Sequence, residues 1–88
     1  MNMDQERQDI LERLKPLLRD ALPDADIDGI GPESTAEDLM GWDSVAHVTL
    51  MTNVEEDFAI LFTPDELTQF SNIGDLVALI AEKVNAAD

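Results

Sequence analysis

Apolar residues recur every three or four positions through this chain, and that spacing limits it to helices. Ile10, Leu11, Leu14, Leu17, Leu18, Ala21 and Leu22 share one helical face. His47, Leu50, Met51, Val54 and Phe58 share another, as do Ile73, Leu76, Val77, Leu79, Ile80 and Val84. No run alternates in the manner of a half-buried strand. The pattern predicts long helices over about Asp4–Leu22, Ser44–Phe58 and Ile73–Asn85. A short helix is expected from Thr63 to about Phe70, with Thr63 as N-cap, Pro64 in the first helical position and Glu66 closing a capping box. Pro16 removes one bond of the first helix and is expected to kink it, and Pro23 marks the exit. A long loop follows to Gly41, broken by Gly29, Gly31 and Pro32 and pinned by Ile27, Ile30 and Leu39. The expected fold is therefore all-α: one domain over residues 1–88, a small four-helix bundle with three longer helices, one short helix and a long first loop.

Composition narrows the chemistry. The core must be mainly aliphatic, because the 88 residues include three Phe, one Trp and no Tyr. Leu14, Leu18, Leu50, Met51, Val54, Phe58, Ile73, Val77 and Ile80 are its expected members. With no Cys, disulfides and thiolate metal sites are excluded. The opening residues are polar, without an apolar signal segment, and no stretch approaches the ~20 apolar residues of a membrane span. A cytoplasmic location is the expectation. The net charge is −15, and the five basic residues stand near the ends: Arg7, Arg13, Lys15, Arg19 and Lys83. Such a surface repels nucleic acid and anionic membrane and suits partners with basic patches.

The most distinctive local pattern is Gly41-Trp42-Asp43-Ser44 at the head of the second long helix. Asp43 suits the N-cap, leaving Ser44 in the first turn. A helix N-terminus offers free N–H donors and a positive partial charge worth roughly 0.3–1 kcal/mol to a nearby anion. Such an end accommodates an anion beside Ser44 but does not activate its hydroxyl. Along the same helix Val45, Val48 and Thr52 line a face away from the core, with Glu55, Glu56 and Asp57 at its acidic end. Val45, Val48, Thr52, Glu55 and Glu56 are the expected docking face.

Competing patterns are weaker. Asp24, Asp26, Asp28 and Gly29 match the opening of a calcium-binding loop, but Pro32 and Thr35 stand where later ligands belong, so no dedicated metal site is expected. His47 lies three residues after Ser44, yet the Gly-x-Ser-x-Gly elbow of a hydrolase is absent. His47 is expected at the edge of the core, bonded to a loop carbonyl, and its protonation beside so many acids is expected to tighten the fold. Trp42 is expected as a partly buried anchor.

The run Asp43-Ser44-Val45 with its following helix resembles the phosphopantetheine-attachment motif of acyl carrier proteins. The resemblance extends over nearly the whole chain. The stretch from Glu12 to Leu22 is similar to the family's first helix, Ser44–Ile60 to its second, and Asn72-Ile73-Gly74-Asp75-Leu76 to the start of its last. Ala46, Thr49 and Thr52 stand where carriers of bulk fatty acid synthesis usually have two acids and a methionine, and Trp42 replaces a small residue. Trp-Asp-Ser looks more like specialised free-standing carriers and D-alanyl or peptidyl carriers. The resemblance implies a non-catalytic monomer with a 4′-phosphopantetheine arm on Ser44, placed by a phosphopantetheinyl transferase with Mg²⁺ and coenzyme A. The arm would hold acyl, aminoacyl or peptidyl intermediates as thioesters for fatty acid, polyketide or related biosynthesis. A loading ligase, a ketosynthase and an acyltransferase are the implied partners, and the core is the implied refuge for a fatty chain. Apart from the resemblance, the acidic helix also suits a cofactor-free adaptor or inhibitor of a basic protein.

Overall fold

The computed structural model describes residues 3–68 and 70–86. Three α-helices carry the fold: α1 (Met3–Ala21), α2 (Ser44–Phe58) and α3 (Ile73–Ala86). Single 3₁₀ turns at Ala36–Asp38 and Glu66–Thr68 interrupt the two connections. Among the described residues there is no strand, as the spacing of apolar residues implies.

Each helix turns its apolar stripe inward. Leu14 and Leu18 of α1, Leu50 and Val54 of α2, and Ile73, Leu76 and Ile80 of α3 are almost wholly removed from water. All nine expected core residues are buried. Burying one such side chain contributes about 1.5–3 kcal/mol, so this aliphatic set is the main force holding the helices together. Pro16 lies exposed inside α1, off the Leu14–Leu18 line, and the helix continues through it.

The long first connection is held at both the apolar and the polar level. Ile27 and Leu39 are buried, and Ile30 packs against the core half-buried. Carbonyls of the same loop then serve the start of α3. Ile73 N–H donates to Ser34 O over 2.8 Å and Gly74 N–H to Pro32 O over 2.7 Å. Asp75 N–H donates to the Asn72 side chain over 2.8 Å, and Leu76 N–H to Asn72 O over 3.3 Å. The N–H groups of Ile73, Gly74 and Asp75, which a helix start leaves without an intrahelical partner, are thus satisfied at α3, and Leu76 N–H makes the first helical bond.

Of the expected short helix from Thr63 to about Phe70, the described residues form one 3₁₀ turn, Glu66–Thr68, and Gln69 lies outside them. The capping box forms: Thr63 N–H donates to Glu66 Oε1 over 2.8 Å and Glu66 N–H to Thr63 Oγ1 over 3.3 Å. A helix carried on past Phe70 would require Ser71 N–H to reach Leu67 O. Ser71 N–H instead donates to the Asp75 carboxylate over 3.0 Å, and Leu67 O lies 2.7 Å from His47 Nε2. Competing partners on α2 and α3 thus leave no helical bond between Ser71 and Leu67. The all-α class stands; among the described residues the bundle has three α-helices rather than four.

Candidate functional site at the head of α2

The loop before α2 is anchored by buried Leu39 and turns through Gly41, whose φ of 86° lies in the left-handed region that favours glycine. Trp42 N–H donates to Leu39 O over 3.4 Å, closing the turn. Asp43 is the N-cap: its backbone is extended and its Oδ1 accepts from Ala46 N–H over 2.8 Å. Asp43 O accepts the first helical bond, from His47 N–H over 2.9 Å.

Ser44 is therefore the first residue of α2, and it is exposed. Among the described residues, nothing in the protein accepts from the N–H groups of Ser44 or Val45. The contrast with α3, where the corresponding donors are spent on loop carbonyls, is a structural difference between two helix starts in one chain. Donors left free at α2 suit an anion carried on the Ser44 hydroxyl.

A cleft of about 590 Å³ opens beside Ser44. Trp42, Asp43, His47, Leu67, Phe70 and Asn72 are among its lining residues, and no Lys or Arg is. His47 is half-buried, bonded to the loop carbonyl of Leu67 as expected. Trp42 is likewise half-buried against the core, and its Nε1–H donates to His47 Nδ1 over 3.3 Å.

The outer face of α2 separates the expected docking residues. Val45 and Val48 are 74% and 63% exposed, large values for valine, and Thr52 and Glu56 are exposed below them. Glu55 departs from this set. It is half-buried, and its Oε2 accepts from Phe62 N–H over 2.9 Å, so it holds the chain leaving α2. Met40, which the sequence pattern gave no reason to single out, is 69% exposed on the loop before Ser44.

Basic residues stand elsewhere. Arg13 pairs with Asp57 over 2.9 Å, Lys15 with Glu12 over 3.0 Å, Arg19 with Asp28, and Lys83 with Glu66. The hydrogen bond from Lys83, with help from Thr63 N–H, holds the Glu66 carboxyl below its ordinary range. Pairing with Arg19 also removes Asp28 from the calcium-like Asp24–Asp28 run. Among the described residues, no three His, Asp or Glu side chains converge as a metal site would need. No described helix is long and apolar enough to cross a membrane.

The chain matches the family described as the phosphopantetheine attachment site over residues 12–80. It is 34% identical to an acyl carrier protein of Picosynechococcus over 79 residues, covering 90% of this chain and 96% of the relative. A polyketide biosynthesis acyl carrier protein of Bacillus subtilis is 33% identical over 82 residues, covering 93% of this chain and 99% of the relative. The solution structure of a holo acyl carrier protein from Geobacter metallireducens superposes with a TM-score of 0.75 at 33% identity, over 88% of this chain and 87% of that one. These likenesses displace the cofactor-free adaptor. The chain belongs to the acyl carrier protein family, as a non-catalytic carrier with a covalently attached 4′-phosphopantetheine.

Proposed function

We propose that Ser44 bears the 4′-phosphopantetheine arm. The observation that carries this reading is the pairing of an exposed Ser44 hydroxyl with free N–H groups on Ser44 and Val45, beside an open cleft. A phosphodiester at that hydroxyl meets the positive end of α2. Asp43 fixes where the helix begins and hence how the hydroxyl is presented. When bound, the arm supplies a terminal thiol that holds cargo as a thioester.

The outer stripe of α2, with Val45, Val48, Thr52 and Glu56, is the docking face for a phosphopantetheinyl transferase and for the enzymes that load and process cargo. Glu55 supports it from beneath by holding Phe62. Exposed valines edged by carboxylates fit enzymes whose surfaces pair apolar patches with Lys and Arg. Cargo is an acyl, aminoacyl or peptidyl group. Likeness to a carrier named for polyketide biosynthesis, together with Trp42, Ala46, Thr49 and Thr52, supports a specialised pathway over bulk fatty acid synthesis. The work is done in the cytoplasm, by a monomer.

Intact mass before and after incubation with coenzyme A, Mg²⁺ and a broad-specificity phosphopantetheinyl transferase tests the assignment. The wild-type chain gains one phosphopantetheinyl group and Ser44→Ala gains none. Modification of the folded Ser44→Ala variant would place the arm elsewhere.

A further inference from the structure

One side chain ties the loop that presents Ser44 to the turn that precedes α3. His47 Nε2 lies 2.7 Å from Leu67 O, and a carbonyl only accepts, so Nε2 carries the hydrogen. The Trp42 indole only donates, so Nδ1, 3.3 Å away, is the acceptor. The two partners together fix one neutral tautomer of His47. Its ring also stacks on Phe70 at 5.6 Å between centroids, and Trp42, His47, Leu67 and Phe70 all line the cleft beside Ser44.

A second proton converts Nδ1 from acceptor to donor. The imidazolium keeps its bond to Leu67 O but faces the Trp42 N–H with an N–H of its own. The brace is then lost on the side of the Ser44 loop and kept on the side of the turn.

We propose that His47 is a positioning residue of the attachment site: its neutral form braces Trp42 and so the loop presenting Ser44, and uptake of one proton releases that loop. The inference rests on the carrier reading of Ser44. Its sign is opposite to the tightening expected from the acid-rich sequence, because the surrounding carboxylates are engaged or turned elsewhere. Among the described residues, Asp43 is the one carboxylate lining the cleft, and its Oδ1 is bonded to Ala46 N–H. Asp38 is bonded to Thr35, Glu66 to Lys83 and Asp75 to Ser71 N–H. Glu33, Glu37 and Asp65, on the flanking segments, do not line the cleft.

The test uses the unmodified protein, in which the single tryptophan gives one indole N–H resonance. His47→Gln is the reference, since a glutamine amide offers a donor and an acceptor but does not titrate. Between a pH at which the His47 ring protons report the neutral imidazole and a lower pH at which they report the imidazolium, the wild-type indole resonance moves with the His47 ring protons. Its exchange protection, taken against the intrinsic rate at each pH, falls by a factor between roughly 2 and 10. In His47→Gln both stay constant. An indole indifferent to the His47 titration, or one that moves equally in His47→Gln, overturns the proposal. Should His47→Gln fail to fold, the wild-type protein decides alone: a shared midpoint for indole and imidazole supports the brace, and separate midpoints overturn it. Transferase loading at the two pH values completes the test. The wild-type rate relative to His47→Gln falls by a similar factor in acid, and a constant ratio overturns the positioning role. No mass gain by either protein at either pH overturns the carrier reading, and the positioning role with it, even where the indole titrates as described.

Discussion

Gly74 N–H donates to Pro32 O over 2.7 Å, and a Cβ on Gly74 would sit 2.9 Å from that same oxygen and 3.1 Å from Pro32 Cβ. The first loop and the start of α3 approach so closely because position 74 has no side chain. The contact joins the segment leading toward Ser44 to the last helix, so it supports the site from the far end of the loop.

Gly74→Ala is therefore destabilising despite alanine's better helix propensity. Propensity favours alanine by roughly 1 kcal/mol. Crowding against backbone atoms costs typically about 1–3 kcal/mol, and the Pro32 bond is stretched as the loop moves away. The net expectation is a loss of up to about 2 kcal/mol in urea unfolding. A midpoint equal to or above that of the wild type would show that the loop yields without cost.

Asp43 separates capping from charge. Asp43→Ala removes the acceptor for Ala46 N–H, and loss of an N-cap costs about 0.5–2 kcal/mol. Asn caps almost as well as Asp, so Asp43→Asn keeps its thermal midpoint near that of the wild type. Loading of Ser44 by the transferase is expected to slow in both variants, because Asn preserves the helix start and not the negative charge. Full-speed loading of Asp43→Asn would show that the cap alone matters.

Ala59 ends α2 with φ 57° and ψ 47°, a left-handed conformation unusual for a residue with a Cβ. Its N–H and that of Ile60 both bond to Glu55 O. This is the position where helices commonly place glycine. Relief of the left-handed strain is worth roughly 1–2 kcal/mol, and the extra backbone entropy of glycine in the unfolded chain takes back about 0.5–1 kcal/mol. Ala59→Gly should stabilise the fold by about 0.5–1 kcal/mol, read as a higher thermal midpoint at neutral pH.

Much of this fold is written in residue spacing. The buried stripes of all three helices follow from periodicity, and Asp43 as N-cap follows from its place before the apolar run. The single turn after Thr63 does not, and the Leu67 carbonyl and the Ser71 N–H beyond it are claimed by His47 of α2 and Asp75 of α3. No local propensity encodes that competition. Glu55 and Glu56 are adjacent identical acids, and only the path of the chain to Phe62 gives one of them a bond. Gly74 in the first turn of a helix carried a readable hint, since glycine is a poor helix former. What it approaches depends on where the long loop lies.

Glu66 makes stability depend on pH in acid. The Lys83 hydrogen bond, and then the Thr63 N–H, hold its folded carboxyl below the ordinary value of 4.5. A depressed folded value gives a contribution that is full above the unfolded value and is lost as pH falls through the folded one. Wild type should therefore melt above Glu66→Gln near neutral pH, with the difference narrowing once the pH drops below 4.5. A gap that widens in acid would contradict the sign. The same comparison in a Lys83→Met background should show a smaller gap, because the main cause of the depression is gone.

Glu55 and Glu56 give the sharpest separation of folding from docking. Glu55 accepts from Phe62 N–H and is half-buried, so Glu55→Ala leaves that donor without its acceptor and costs about 1–3 kcal/mol. Glu56 is exposed, with no described hydrogen bond, so Glu56→Ala should change stability by no more than about 0.5 kcal/mol. Docking reverses the order. Glu56 stands on the outer stripe with Val48 and Thr52, where under the proposed docking its charge would meet a basic partner, and exposed interfacial charges act mainly on association rate. Glu56→Gln should slow loading of Ser44 at low ionic strength, with the deficit shrinking as salt screens the attraction. Stopped-flow or early time-point mass measurements at two salt concentrations read this directly. A Glu56 variant that loads at the wild-type rate in low salt would remove this residue from the docking face while leaving Val45 and Val48 to be tested by Val→Asp changes.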